Sequence, residues 1–92
     1  MPSEELKFTG KDALELVKGL SSITNFKILQ LLSKENLDVS SIAKRMKLSE
    51  AHISGEISRL ENLHLVKIIY APGKRGIRKV CMLAAKQISI II

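Results

Sequence analysis

The sequence predicts a mainly α-helical domain closed by a small β-hairpin: four helices followed by two strands. Three observations carry this. Four stretches between residues 9 and 63 place apolar side chains at helical spacing, each behind a residue suited to cap a helix. The period changes at Val66, where a β-branched run begins. Two glycines, Gly73 and Gly76, bound a short basic stretch between that run and a second β-prone run.

The elements follow in chain order. Thr9-Gly10-Lys11-Asp12 has the spacing of a capping box, with Asp in the last place. Ala13, Leu14, Val17 and Leu20 follow it as the apolar side of a first helix, and Gly19 marks its end. Ser21 and Ser22 offer caps for a second helix over 23–34. Its residues Ile23, Phe26, Ile28, Leu29, Leu31 and Leu32 are apolar over a wide arc, which places it in the middle of a small bundle. Asp38 caps a third, two-turn helix carrying Val39, Ile42, Ala43 and Met46. Lys47-Leu48-Ser49 is a tight connection, and Ser49 caps a fourth helix over 50–63. Ile53, Ile57 and Leu60 are its buried stripe, and Leu65 plugs the core beyond it. The run 66–71 is the first strand, residues 72–76 the turn, and the run 77–83 the returning strand. Residues 1–8 read as an N-terminal extension and 86–92 as an apolar, β-prone tail.

Ninety-two residues make one domain, 1–92. With 46% hydrophobic and only 3% aromatic residues, its core is aliphatic. No apolar run is long enough to span a bilayer, and MPSEELKF has no features of a secretory signal. A single cysteine, Cys81, permits no internal disulfide and no thiolate cluster for zinc. These features point to the cytoplasm. No paired carboxylates, nucleophile–base pair or phosphate-cradling loop is visible, so no enzyme, metal or cofactor is expected.

Charge is segregated along the chain. The net charge is +6, yet residues 1–38 hold five basic and six acidic residues, and residues 39–92 hold ten basic and three acidic. A basic half is the footprint of a polyanionic partner.

Two short helices on a three-residue connection, followed by a hairpin with a basic tip, have the order of a winged helix-turn-helix. Residues 19–32 (GLSSITNFKILQLL), 36–49 (NLDVSSIAKRMKLS) and 48–66 (LSEAHISGEISRLENLHLV) resemble the second helix, positioning helix and recognition helix of ArsR-like bacterial and archaeal repressors. Residues 67–83 are similar to the wing. The MarR-like regulators share much of the pattern. The resemblance implies double-stranded DNA as partner and transcription regulation as function.

The fourth helix has its own physical logic. At about 100° per residue, Glu50, Glu56 and Glu61 flank the buried stripe. Ala51, His52, Gly55, Ser58, Arg59 and Asn62 lie opposite, without an acid among them. Small residues let a backbone approach, and His, Ser, Arg and Asn donate to base edges. A glycine in mid-helix costs about 1 kcal/mol, so close approach of something matters at Gly55. Ser49 and Ser54 join the candidate set. In the hairpin Lys67, Lys74, Arg75, Arg78 and Lys79 face no acid in sequence; Lys74 and Arg75 sit at the tip, with Arg78 close by, suited to phosphates or the minor groove. Lys44, Arg45 and Lys47 are placed to hold the backbone. Sequence specificity is expected to be moderate, because Arg59 is the one residue suited to a bidentate guanine contact.

The chain departs from the ArsR-like pattern in three places. The positioning helix lacks the Cys-x-Cys of metal sensors, and Cys81 reads as a core residue. Lys47 and His64 stand where glycine is common, so altered turn geometry is expected there. The apolar tail (Ile88, Ile90, Ile91, Ile92) and the first helix are expected to form a homodimer, through either or both; the tail folding onto its own core is the alternative. Two other functions fit the same features: a winged-helix protein-interaction module, and an architectural DNA-binding protein without sequence preference.

Overall fold

The computed structural model describes residues 3–74 and 76–92. Its order is β1 (Ser3–Thr9), α1 (Gly10–Leu20), α2 (Ile23–Leu32), β2 (Leu37–Asp38), α3 (Val39–Met46), α4 (Glu50–Asn62), β3 (Val66–Gly73), β4 (Gly76–Leu83) and β5 (Ala85–Ile91). Four helices and the β3–β4 hairpin make a winged helix-turn-helix, as the sequence predicts. β3 and β4 pair antiparallel from Val66↔Leu83 out to Gly73↔Gly76, leaving a two-residue tip. Among the described residues, no helix is long and apolar enough to cross a membrane.

Two strands, β1 and β2, were not expected, and the β-prone tail forms a third, β5. β2 adds to β4 through Leu37↔Cys81 and Asp38↔Val80, making a three-stranded sheet in the order β2-β4-β3. β1 and β5 form a separate parallel pair, so residues read as extension and tail lie side by side. Phe8 on β1 is buried, and Leu6 and Ile88 pack partly buried against the core.

Two of the expected apolar faces turn out differently. α1 buries Leu16 and Gly19, with Ala13 and Leu20 alongside, while Leu14 and Val17 are about half exposed. Ala13, Leu14, Leu16, Val17 and Leu20 wrap most of this short helix, and tertiary packing selects the Leu16 side. α2 is not enclosed all round: Ile28 and Leu32 are core, but Ile23 and Phe26 are exposed.

α2 also buries a polar residue. Asn25 is fully inaccessible, and its Nδ2 donates to the Gly19 carbonyl at 2.7 Å. That bond satisfies a carbonyl at the C-terminus of α1 that the helix itself leaves without a partner. Its own backbone N–H is bonded to the Ser22 hydroxyl, the cap of α2. One side chain therefore joins the end of α1 to the start of α2.

The ends of α3 and α4 follow one design. Lys47 (φ 57°) and His64 (φ 63°) both adopt the left-handed conformation. After α3, Lys47 N–H donates to Lys44 O and Leu48 N–H to Ala43 O; after α4, His64 N–H donates to Glu61 O and Leu65 N–H to Leu60 O. These are paired Schellman closures. The altered geometry expected for non-glycine residues is absent, because the helix-closing bonds demand a left-handed residue. At the second closure the buried Leu60 and Leu65 stack as its apolar seal.

Two outcomes are expected from denaturant unfolding. His64→Gly stabilises the protein by about 1 kcal/mol, since glycine escapes the left-handed penalty, whereas His64→Ala yields no gain. Asn25→Ala destabilises by about 1–3 kcal/mol, because it leaves the buried Gly19 carbonyl without its donor.

Candidate nucleic-acid interface

The candidate site is built around α4. Ser49 caps it: its hydroxyl accepts the His52 backbone N–H at 3.0 Å. That hydroxyl is thereby committed to the helix. Ile53, Ile57 and Leu60 are fully buried, as the spacing predicts, which fixes the rotation of the helix. Ala51, His52, Gly55, Ser58, Arg59 and Asn62 are all exposed on the other side, and Ser54 is half-buried at the margin. Glu56 is drawn toward the interior, where its Oε2 is buried and has no hydrogen-bond partner among the described residues.

Gly55 has no packing role. A Cβ built there meets nothing within 4 Å. By contrast, a Cβ at Gly19 would fall on the Leu63 side chain. The cost of a glycine in the middle of α4 has no explanation inside the monomer.

The two halves of this face differ. Arg59 and Asn62 line a groove of about 380 Å³ together with Glu15, Lys18, Gly19 and Leu63. α1 thus brings an acid, Glu15, to the groove that Arg59 borders. No such neighbour was visible from α4 alone. The N-terminal half, with Ala51, His52, Gly55 and Ser58, is the more open.

The cations also divide. Arg45 faces Glu35, its two terminal guanidinium nitrogens each 3.4 Å from one carboxylate oxygen. Arg78 Nε lies 3.5 Å from Asp38 Oδ2. Its chain also crosses Gly73, where a Cβ would strike Arg78 Cγ and Cδ. Lys44, Lys47 and Lys74 are exposed and make no ion pair among the described residues. Arg75 lies outside the described residues.

Strand alternation separates cations that lie side by side in sequence. Lys79 pairs with Tyr70, two residues along from the Cys81↔Ile68 pair, so these four share one face of the hairpin. Near the base that face is core, with Cys81 fully buried; farther out it presents Tyr70 and Lys79 to solvent. Arg78 points to the opposite face. Tyr70 and Lys79 are therefore additions to the candidate surface, and the two-residue period from Ile68 and Cys81 would have found them. Burial pushes the Cys81 thiol up to about 11, which agrees with its reading as a core residue.

Asp38 connects the helices to the wing. Its Oδ1 accepts the Ser41 backbone N–H at 2.7 Å, capping α3, while its other oxygen faces Arg78. The hydrogen bonds from Ser41 hold its carboxyl below the usual carboxylate range, assisted by Arg78 and Lys44.

Residues 24–67, which contain α3, α4 and all of α2 but its first residue, match the family model for the bacterial regulatory protein, arsR family. The fold is a winged helix-turn-helix, and over these residues the chain is similar to the ArsR family. Solved structures agree on the fold. HlyU of Vibrio cholerae superposes with a TM-score of 0.70 at 21% identity, covering 83% of this chain and 76% of that one. The winged helix-turn-helix DNA-binding domain of a possible ArsR-family transcriptional regulator from Mycobacterium bovis, described as homodimeric, has a TM-score of 0.70 at 22% identity, covering 80% of this chain and 65% of that one. No curated protein gives a significant sequence match. The matched ArsR-like segment stops at the first residues of β3, so the β1–β5 pair and most of the wing lie outside it.

The Asp38 link carries a pH signature. The lowered carboxyl pKa contributes stability that is present above the unfolded-state value of about 3.9 and disappears as pH falls through the lower folded value. Asp38→Ala is expected to cost about 1 kcal/mol at neutral pH through loss of the cap. The difference from wild type should shrink as urea melts are taken from pH 5 toward pH 2.

Proposed function

We propose that this protein binds double-stranded DNA and regulates transcription, with α4 in the major groove and the wing tip, residues 73–76, on the backbone or in the minor groove. Ala51, His52, Gly55 and Ser58 approach base edges. Arg59 and Asn62, beside the α1 groove, contact the backbone or the edge of the site. Lys44 and Lys47, and Arg45 after release from Glu35, meet phosphates beside the helix. Lys74 and Arg75 do so from the wing. Arg78 acts mainly by fixing the hairpin against Asp38. Much of the sequence preference then comes from DNA shape and half-site spacing.

The observation that carries this reading is the open face of α4. An exposed glycine with nothing near it sits in mid-helix, between small and hydrogen-bonding residues, on the side opposite the core. A close-approaching partner supplies the reason the monomer lacks. The excess of cations in residues 39–92 favours a polyanion over an ordinary protein surface.

We further propose a homodimer. Leu14 and Val17 on α1, and Ile90 and Ile91 on β5, leave apolar surface exposed, and the Mycobacterium bovis relative is described as homodimeric. Two copies of α4 about 34 Å apart would read successive major grooves of a pseudo-palindrome.

The test is a fluorescence-anisotropy titration on random and on selected duplexes at two salt concentrations. Gly55→Leu should keep the fold and weaken binding at least 10-fold. Lys74→Ala should weaken all sequences alike and reduce the salt slope by about 0.9. Wild-type affinity in Gly55→Leu would remove α4 from the groove, and absence of salt-dependent binding to any duplex would remove DNA as the partner.

A further inference from the structure

We infer that β5 is the strand through which two copies of this chain join, edge to edge and antiparallel, into a four-stranded sheet ordered β1-β5-β5-β1. This deepens the homodimer reading and rests on it.

The β1–β5 pair is a two-stranded parallel sheet separate from the wing. Parallel pairing is the weaker kind, and a two-stranded sheet alone is marginal in water. Each strand also has one edge where, among the described residues, no other strand pairs. Such an edge offers a row of free N–H and C=O groups to any extended chain.

The two edges are not equivalent. β1 carries Glu5 and Lys7 on exposed positions, 4.0 Å apart as an ion pair. Charges of this kind protect an edge from pairing. β5 carries a single charge, the exposed Lys86 at its start, and none beyond it. From Gln87 to Ile91 it holds no charged residue, no proline and no glycine, and three of its five residues are isoleucine. Ile90 and Ile91 are each 48% exposed.

The uncharged polar side chains of β5 are already engaged within the sheet. Gln87 Nε2 donates to Glu5 at 3.4 Å, and the Ser89 hydroxyl donates to the same carboxylate. Glu5 thus knits the strands together from the β1 side and leaves the far edge of β5 as backbone flanked by isoleucine.

A strand that pairs with its own copy must be self-complementary. In an antiparallel two-fold pair, a residue faces its own copy only at the axis. An axis anywhere between Ile88 and Ile91 keeps Lys86, the sole charge on β5, away from its mate. With the axis at Ile90, Ile90 faces its own copy, Ser89 faces Ile91 and Ile88 faces Ile92, a pairing suited to β-branched side chains. The edge alone is small beside the roughly 1,200 Å² that a specific interface buries. α1 packs on these same strands, and its exposed Leu14 and Val17 supply further apolar surface near the sheet.

Light scattering, cysteine crosslinking and hydrogen exchange on the full chain test this together. The native Cys81 is buried and does not compete. Single variants Ile88→Cys, Ser89→Cys, Ile90→Cys and Ile91→Cys are oxidised alongside Leu14→Cys and Val17→Cys. The expected result is a two-chain mass in solution and a disulfide dimer forming at least 10-fold faster at one position of 88–91 than at Leu14→Cys or Val17→Cys. Amides 87–91 should be protected at consecutive residues, where an edge strand protects only alternate ones. Ile91→Lys should weaken the dimer at least 10-fold with unchanged helical circular dichroism. A dimer that crosslinks through α1 and shows alternate protection in β5 overturns the edge proposal and leaves the homodimer intact. A one-chain mass overturns both.

Discussion

The placement of α4 depends on the left-handed backbone at Lys47 and His64. These residues bracket the helix, and each completes the closing hydrogen bonds of the helix before it. The first sets where α4 begins, because Leu48 must return its N–H to Ala43 before Ser49 can cap the next turn. The second ends α4 and drops Leu65 into the core beneath Leu60. Between them, Ile53, Ile57 and Leu60 leave one rotation that buries the stripe. Ala51, His52, Gly55 and Ser58 face solvent as a consequence of those closures. The strain of two non-glycine residues at positive φ is tolerated because two hydrogen bonds depend on each.

Electrostatics then sort the cations into two groups. Arg45 and Arg78, the longer side chains with planar forks, are held by Glu35 and Asp38. Both acids lie at the junction between α2, β2 and α3, so the arginines tie the positioning helix to its neighbours. The lysines Lys44, Lys47 and Lys74 remain in solvent. This division suits the chemistry of the groups: guanidinium holds fixed geometry with a carboxylate, whereas ammonium is a mobile point charge. A surface that meets phosphates through lysines grips a backbone without specifying much about its sequence.

Much of this was legible in the chain, and the misses share a cause. Asp38 and Ser49 cap the helices assigned to them, the stripe on α4 follows from spacing, and the hairpin follows from its two β-prone runs, although its strands extend into the turn expected over 72–76. These are local signals, carried by residues three or four apart or facing each other across a short turn. What escaped is nonlocal. Glu5 and Ser89 meet although they are 84 positions apart, and the pairing of β1 with β5 has no local signature. The ion pair of Arg78 with Asp38 escaped for the same reason, since Asp38 reaches it only because β2 joins β4. On α1, apolar residues at adjacent positions made the inward side ambiguous, and packing against β1 and β5 decided it. Asn25 had no sequence signal as a core residue, because its purpose is to bond a carbonyl on another helix.

The remaining departures from local preference are informative by position. Natural sequences depart from their own local rules mainly where function demands it. Gly19 is required by Leu63, and Gly76 by its φ of 110°, so both have structural reasons. His64 lies at the far end of α4, where the Leu60–Leu65 seal accounts for its conformation. Gly55 alone has open space around it and an ordinary helical backbone. An alanine there would fit the fold and favour the helix by about 1 kcal/mol. Gly55 lies on the most open part of α4, beside His52 and Ser58, and packing within the monomer gives no reason for a small residue there. On the proposed reading of α4 as the contact face, the partner comes closer there than a methyl group allows, a condition that a shape-matched groove satisfies better than a flat surface.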